Sequence, residues 1–144
     1  MQITTGVHIW LILMKAYHSV EVCSFRKVRG SGLGDSDFRV LEVLLHKGPL
    51  PVNAIGPKVF LTTGSISTAI DRLYEKGLVS RVDCKSDRRV RLVELTAKGR
   101  ALIARLFDAH AKDMEEVANV LSDTERAQLV ELLKKLGKHA AGTA

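Results

Sequence analysis

The sequence predicts a fold that is mainly α with a small β wing, an α+β arrangement with its strands in the middle of the chain. Near both ends, apolar residues recur at three- and four-residue steps, which is the pattern of amphipathic helices. In the middle, LVSRVDC and RVRLVEL alternate apolar and polar residues as strands do, and KSDR between them has the composition of a turn. With 144 residues, the chain is about as long as one ordinary domain, so residues 1–144 are expected to fold as a single unit.

Long helices are predicted at both ends of the chain, over residues 5–29 and 96–138. Thr96 is placed to cap one of them, and Ser122 and Glu125 have the spacing of a capping box that opens the last one. The apolar stripes are formed by Trp10, Leu13, Met14, Tyr17, Val20 and Phe25 in the first helix and by Leu102, Ile103, Leu106, Phe107, His110, Met114, Val117 and Leu121 in the next, and Leu129, Leu132, Leu133 and Leu136 are expected inside in the last. Since a domain of this size does not need so much apolar surface, both regions are predicted to be dimerisation helices that pair with a second copy of the chain.

The segment between them, residues 35–95, predicts a helix-turn-helix followed by the wing. A helix is expected from Asp35 to about Lys47, LPVNAIGPKVF reads as a second, short helix, and LTTGSISTAIDRLYEKG predicts a third that Thr62 caps and Gly77 closes. The expected inward residues are Phe38, Leu41, Leu44 and Leu45 in the first of these helices and Ile66, Ile70 and Leu73 in the last. The order of two helices, a tight turn between them and a hairpin is that of a winged helix-turn-helix.

Positive charge is concentrated in the middle of the chain. The formal net charge of +6 divides into +2 for residues 1–48, +5 for residues 49–100 and −1 for residues 101–144. RVDCKSDRRVR, residues 81–91, places five basic side chains in eleven positions around the predicted turn. Such a localised positive field is typical of a surface that binds a polyanion, although charge alone also fits a solvated basic surface without a partner.

The predicted helix-turn-helix favours double-stranded DNA as that polyanion. With its apolar side turned inward, the helix after Thr62 presents short hydroxyl side chains and one arginine, which can approach base edges and phosphates in a major groove. These candidate contacts are Thr62, Thr63, Ser65, Ser67, Thr68 and Arg72. The wing adds Lys85, Arg88 and Arg89, and a narrow minor groove attracts an arginine at such a tip.

Two other classes of function fit the sequence less well. An enzyme would need a phosphate-binding loop, a nucleophile motif, paired carboxylates or metal-ligand spacing, and the sequence has no such motif. A winged-helix protein-interaction module without sequence-specific DNA binding would expose large apolar side chains on the helix after Thr62, where this chain has Thr, Ser and Arg. A DNA-binding regulator that is not an enzyme is therefore favoured.

Two segments resemble the MarR family of winged helix-turn-helix transcriptional regulators. DRRVRLVELTAKG, residues 87–99, is similar to the family's passage from wing to helix, and GSISTAIDRLYEKGLVSR, residues 64–81, is similar to its recognition helix. The resemblance covers about residues 10–136. It implies a symmetric homodimer that binds a near-palindromic operator and is released by a small ligand or an oxidant.

The resemblance also implies roles for particular residues. Asp87 falls where the family has an acidic residue that orients the wing arginine, and Arg89 falls at the arginine that enters the minor groove, while Arg88 would contact phosphate. A carboxylate two residues away on the same strand face can hold a guanidinium in one geometry. The family keeps its effectors between the dimer helices and the winged part, where an aromatic-ligand pocket could be lined, unless these residues are plain core, by Trp10, Met14, Tyr17 and Phe38.

Within the family, AYHSVE, HKGPLPVNAIGPKV, LLKKLG and the wing cysteine are similar to repressors of quinone and catechol detoxification genes. This implies a repressor of a nearby stress or detoxification operon, released by a small aromatic ligand or by quinone chemistry at a thiol. Cys84 is either an ordinary apolar wing residue or an electrophile sensor whose thiol pKa the neighbouring cations Arg81, Lys85 and Arg88 would lower. Trp10 occupies the position of the reactive cysteine of peroxide-sensing members, so peroxide sensing of that kind is not expected.

No cofactor or metal ion is predicted. Cys23 and Cys84 lack a CxxC motif and a nearby His, and His18, His46 and His110 have no second ligand at a helical step. The apolar stretch from residue 9 to residue 14 is too short for a membrane span, and it lacks the charged flank of a signal peptide. A reducing cytoplasm is the expected location.

Overall fold

The computed structural model describes residues 4–143, which form seven helices and three strands. In chain order these are α1 (Gly6–Ser24), α2 (Arg26–Gly30), α3 (Asp35–Lys47), β1 (Leu50–Pro51), α4 (Val52–Val59), α5 (Thr63–Glu75), β2 (Val79–Asp83), β3 (Arg91–Leu95), α6 (Ala97–Ala118) and α7 (Asp123–Thr143). The mainly helical fold with a small β wing is confirmed. Among the described residues, no helix is both long and apolar enough to cross a bilayer.

The first predicted helix is interrupted at Phe25. There the backbone leaves helical geometry, with φ −99° and ψ 5°, so that α1 ends at Ser24 and α2 begins at Arg26. Phe25 is buried, and its ring meets the ring of Phe38 edge-on at 6.0 Å. The prediction of one continuous helix over residues 5–29 was wrong, because a contact with another helix, and not a local Pro or Gly signal, ends α1.

The core lies between α3, α5, α6 and the sheet. Its fully buried large side chains include Phe38, Leu41, Leu44, Ile55, Ile66, Ile70, Leu73 and Ile103. The inward faces predicted for α3 and α5 are confirmed, except that Leu45 is only partly buried and packs at the margin of the core. Helix α3 contacts α4, α5 and α6, so it packs against the buried side of the helix-turn-helix.

The sheet has a third strand that the sequence analysis missed. Leu50 and Pro51 were assigned to a short helix, but they form β1, which pairs antiparallel with β3 and gives the strand order β1-β3-β2. Pro51 precedes the first turn of α4 with extended backbone angles. Two residues cannot show a strand period, so only the partner strand reveals this pairing.

The loop that connects the two strands of the wing hairpin is longer than predicted. Strands β2 and β3 pair from Val79 opposite Leu95 to Asp83 opposite Arg91. The connection, residues 84–90, is called the wing loop below, and it replaces the tight KSDR turn expected from the sequence. Its base is closed by a hydrogen bond of 2.9 Å that the Cys84 N–H donates to the Val90 carbonyl.

Helices α6 and α7 begin as predicted. The Thr96 hydroxyl accepts from the Gly99 N–H at 3.0 Å. The Ser122–Glu125 capping box is present, since the Ser122 N–H donates to the Glu125 carboxylate at 2.8 Å and the Glu125 N–H to the Ser122 hydroxyl at 3.3 Å.

The apolar stripes of the terminal helices are exposed in the single chain. Helix α1 has no buried residue, and neither does the described part of α7. The leucines predicted to lie inside, namely Leu129, Leu132, Leu133 and Leu136, are between 41% and 64% exposed. Within one protomer these leucines are not inside, because no other element of residues 4–143 covers this surface of α7. Their burial against a second copy stays a prediction.

Candidate nucleic-acid interface

The first turns of α5 present a polar surface next to the wing. Burial of Ile66, Ala69, Ile70 and Leu73 fixes the orientation of the helix. The residues left outside include the predicted hydroxyl contacts, Thr62, Thr63, Ser65, Ser67 and Thr68, and all of them are exposed. The Thr62 hydroxyl caps α5 by accepting from the Ser65 N–H at 3.2 Å. Short side chains at a helix N-terminus allow the close approach that phosphates and base edges require.

Arg72 differs from the other predicted contacts. Its Nε and Nη2 atoms lie 3.2 and 2.8 Å from Oδ1 of Asp37 on α3. Its guanidinium is therefore paired with a buried carboxylate, while the Arg72 side chain itself stays 44% exposed. Its role as a DNA contact stays a prediction. Sequence analysis could not find this pair, because 35 residues separate its partners.

The wing loop exposes its basic side chains. Arg89 is 92% exposed, and Lys85 and Arg88 are exposed as well. Oδ1 of Asp87 accepts from the Arg89 N–H at 3.0 Å and from its Nε at 3.4 Å. The expected contact between Asp87 and Arg89 is present, although both residues lie in the wing loop and not on a strand face. Their roles in DNA binding stay predictions.

An ion pair joins the wing to α5. Arg81 on β2 binds the Asp71 carboxylate, and its guanidinium lies over the Tyr74 ring with 5.0 Å to the ring centroid. The wing and α5 are thus connected through side chains as well as by the chain between them. Sequence analysis treated Arg81 only as a neighbour of Cys84 and missed this role.

Cys84 lies at the start of the wing loop. Its Sγ is 3.1 Å from the Ser86 hydroxyl oxygen. The pKa of the Cys84 thiol is lowered by the Ser86 side chain and then by backbone N–H groups of Ser86 and Asp87, while burial and the negative charge of Asp87 act in the opposite direction. The direction is the one that the electrophile-sensor alternative requires, but its cause is hydrogen bonding and not Arg81, Lys85 or Arg88. A sensor role of Cys84 stays a prediction.

The four predicted ligand-pocket residues lie in two different environments in the described part of the chain. Phe38 belongs to the core, where its ring is in contact with Phe25 and His110. Trp10 and Met14 are exposed on α1 and line none of the cavities described below, whereas Tyr17 lines two of them. Phe38 faces inward, as the alternative of plain core implies, while the α1 residues face outward. A pocket that these residues would line in a dimer stays a prediction.

One cavity near Tyr17 is rich in cations and is called the basic cavity below. It has a volume of about 570 Å³ and is lined by Tyr17, Arg39, Glu42, Val43, His46, Lys47, Lys58, Val59 and Phe60. Arg39 is held by Glu21 at 3.1 Å, and the His46 ring is 4.7 Å from the Phe107 ring. Arg39, Val43 and His46 follow one another at four- and three-residue steps, a helical spacing that could have shown their common face.

A second cavity is almost purely apolar and is called the α1–α7 cleft. It has a volume of about 510 Å³ and is lined by Thr4, His8, Ile9, Ile12, Leu13, Ala16, Tyr17, Val20, Leu129, Leu133 and Leu136. An exposed apolar surface of this extent is typical of an interface. Sequence analysis had assigned most of these residues to the predicted dimerisation helices.

The histidines and cysteines do not form a metal centre in the described part of the chain. Over residues 4–143, no group of three or more His, Cys, Asp or Glu side chains is arranged to hold a metal ion. His110 instead contacts the Ser24 hydroxyl at 3.3 Å. Cys23 and Cys84 are both free thiols.

The profile of the MarR family matches residues 33–90. The HTH-type transcriptional regulator MhqR of Bacillus subtilis (strain 168) is 36% identical over 135 residues, which are 94% of this chain and 93% of MhqR. The chain belongs to the MarR family. Members of the MarR family are transcriptional regulators that bind DNA and act as dimers, and some of them respond to small molecules.

Solved structures of MarR-type regulators share the fold. A probable transcriptional regulator from Pseudomonas aeruginosa is 29% identical with a TM-score of 0.76, over 89% of this chain and 96% of that one. BpsR of Bordetella bronchiseptica, whose DNA binding is regulated by 6-hydroxynicotinic acid, is 25% identical with a TM-score of 0.79, over 90% of this chain and 92% of BpsR. The winged helix-turn-helix and its flanking helices therefore have the same arrangement as in these regulators.

Proposed function

We propose that the chain is a homodimeric repressor that binds a near-palindromic operator beside a stress or detoxification operon. The observation that carries the DNA-binding part is the wing tip. Arg89 is almost fully exposed yet held by Asp87, on the same molecule as the exposed hydroxyl face of α5. The hydroxyl face suits a major groove and a preoriented arginine suits the adjacent minor groove.

The terminal helices support pairing of two chains. The α1–α7 cleft exposes aliphatic side chains from both ends of the chain, and a second copy can cover them with the same surface, as a two-fold interface requires. Two recognition helices related in this way would reach successive major grooves about one DNA turn, or ~34 Å, apart. An inverted-repeat operator follows from this symmetry.

The effector is a small aromatic compound that binds in the basic cavity. Tyr17 and Phe60 provide aromatic contacts, while Arg39 and Lys58 provide positive charge, which suits a phenolate or an aromatic carboxylate. The cavity joins α1 to α3 and α4, so a ligand there contacts both the terminal helices and the helix-turn-helix. It releases DNA if it binds more tightly to a dimer in which the recognition helices are misaligned.

A second release mechanism is supported by the wing thiol. The lowered pKa of Cys84 increases its thiolate fraction, and the thiolate can add to a quinone to give a thioether. That adduct would stand beside Arg88 and Arg89 and block the approach of the wing to DNA. The two mechanisms make opposite demands on Cys84.

DNA binding is tested by selection from a random-sequence duplex library. We expect the parent chain to enrich an inverted repeat with half-sites one helical turn apart, and a duplex carrying both half-sites to bind more tightly than one half-site alone. Enrichment without a repeated half-site would contradict the dimeric operator, and no enrichment would favour a protein-interaction module.

Release is tested on the selected duplex with phenol, 6-hydroxynicotinic acid and benzoquinone. The parent is compared with Cys84→Ser and with the matched control Cys23→Ser. Release by phenol or 6-hydroxynicotinic acid from all three proteins supports the reversible cavity. Release by benzoquinone alone, lost only in Cys84→Ser, assigns release to the thiol, and no response to any compound contradicts an aromatic effector.

A further inference from the structure

We propose that Arg72 is a positioning residue, which together with Asp37 fixes the recognition helix α5 against α3, and that it is not a phosphate contact. The inference rests on the proposed DNA-binding function and deepens it. It follows from the partners of two side chains and from where their helices lie. Nothing in the sequence pattern of α5 distinguishes Arg72 from its exposed neighbours.

The carboxylate of Asp37 is the anchor of this arrangement. Its side chain is only 3% exposed, and both of its oxygens are in use. Oδ2 accepts from the Gly34 N–H at 3.1 Å, which caps α3, and Oδ1 accepts from Nε and Nη2 of Arg72 at 3.2 and 2.8 Å. A buried carboxylate without a cation is strongly unfavourable, so Asp37 keeps Arg72 at the start of α3.

The neighbouring residue ties α5 in another direction. Asp71 binds Arg81 on β2, whereas Arg72 binds Asp37 on α3. Because consecutive helical side chains point about 100° apart, the two pairs restrain rotation of α5 about its own axis as well as its distance from α3. The angle at which the exposed hydroxyls face a groove depends on this rotation.

The sign of one mutational effect separates positioning from direct contact. If Arg72 contacted a phosphate, Asp37 would compete with DNA for the guanidinium, and removing its negative charge would tighten binding. If Arg72 positions α5, the same change removes the anchor and weakens binding. Loss of the Asp37 negative charge makes the protein more positive under either role, and this charge effect alone would tighten DNA binding. Weaker binding therefore points to positioning.

The test compares Asp37→Asn with Asp35→Asn. Both changes remove one carboxylate from the first turn of α3, but Asp35 pairs with Arg29 and not with α5. We expect Asp37→Asn to weaken binding to the duplex most enriched by the parent on the order of tenfold, the size of one lost base contact. Asp35→Asn should keep or slightly raise the affinity. Binding of the unselected library, which depends on phosphates, should not weaken in either variant.

Arg72 variants provide the second arm. Arg72→Lys keeps the positive charge but offers a single nitrogen, so we expect the same loss of affinity for the selected duplex as in Asp37→Asn. A variant that carries both substitutions should lose no more affinity than either one alone. The slope of log affinity against log salt concentration should stay parental in Arg72→Ala, whereas a lost phosphate contact would reduce it by about one per protomer. Thermal unfolding and titration of the active fraction show that each compared protein is folded.

Tighter binding by Asp37→Asn, parental affinity of Arg72→Lys, or a reduced salt slope in Arg72→Ala would overturn the positioning role. If Asp37→Asn does not fold, Arg72→Lys and Arg72→Ala decide alone. A parent chain that shows no sequence preference would overturn the proposed function itself. A parent that selects a sequence, with variants that bind it as tightly, would overturn only the positioning role.

Discussion

At the wing tip, two basic residues of the same loop have different contacts. Both Arg89 and Lys85 are exposed on the wing loop, but Arg89 is held through two contacts with Asp87. A held guanidinium loses less conformational freedom when it enters a groove than a free side chain does. The two cations should therefore contribute to DNA binding in different ways.

Arg89→Ala should weaken operator binding by about 1 to 3 kcal/mol per wing, because it removes a minor-groove contact. Lys85→Ala should cost less and should flatten the salt dependence, as loss of a phosphate contact does. Fluorescence anisotropy across salt concentrations measures both effects. Equal small losses for the two variants would contradict the minor-groove role of Arg89.

The reactivity of Cys84 should depend on Ser86. Since the Ser86 hydroxyl is the largest cause of the lowered thiol pKa, Ser86→Ala should raise that pKa. The thiolate then forms only at higher pH, so the pH profile for alkylation of Cys84 by iodoacetamide should shift upward. Mass spectrometry of the Cys84 peptide follows the reaction, with Ser80→Ala on the nearby strand as control. An unchanged profile would mean that Ser86 does not stabilise the thiolate.

Between elements, the first turn of α6 packs closely against Leu78, the residue before β2. A Cβ atom on Gly99 would lie 1.9 Å from the Leu78 carbonyl oxygen, which also accepts from the Thr96 N–H at 3.1 Å. Both partners of the overlap are held by backbone, so neither can move away alone. Glycine is required here by space, and the wing is thereby connected to α6.

Gly99→Ala should therefore destabilise the protein by about 1 to 3 kcal/mol, in the range of overpacked interiors. Gly137→Ala in α7 is the matched control, because nothing lies within 4 Å of its Cβ position. In an open helical position alanine stabilises by about 0.5 to 1 kcal/mol. Urea unfolding of the two variants should give opposite signs, and equal effects would contradict the close packing of α6 on Leu78.

The whole molecule has an apolar surface that its own chain does not cover. Helices α1 and α7 expose aliphatic side chains over their length, while the core is formed by the segments between them. MarR-type regulators act as dimers, so pairing through this surface would also set the distance between the two recognition helices. Loss of the dimer should therefore also remove preference for a two-half-site operator.

Light scattering of the parent should give twice the 15.8 kDa chain mass at micromolar concentration. Leu133→Glu introduces a charge into the α1–α7 cleft, and burying it unpaired is costly. The dissociation constant of the dimer should therefore rise at least tenfold. Gln128→Glu adds the same charge to α7 outside the lining of the cleft and should leave the mass unchanged. A monomeric parent would contradict the proposed assembly.

The sequence by itself determined the features that depend on near neighbours. Thr62, Thr96 and the Ser122–Glu125 pair cap their helices as predicted, because a cap joins atoms three residues apart. The same is true of the contact between Asp87 and Arg89, and of the buried face of α5, whose period can be read from a single helix. The family resemblance was also contained in such continuous segments.

Only the tertiary structure decided the features that join distant parts of the chain. Phe25 ends α1 because it packs on Phe38, and β1 exists because β3 lies beside it. Arg72 turns to Asp37 since the packing of α5 on α3 brings a buried carboxylate within reach. In each case a local pattern allowed more than one structure, and the burial of a side chain or the pairing of a backbone group with a distant partner selected one of them.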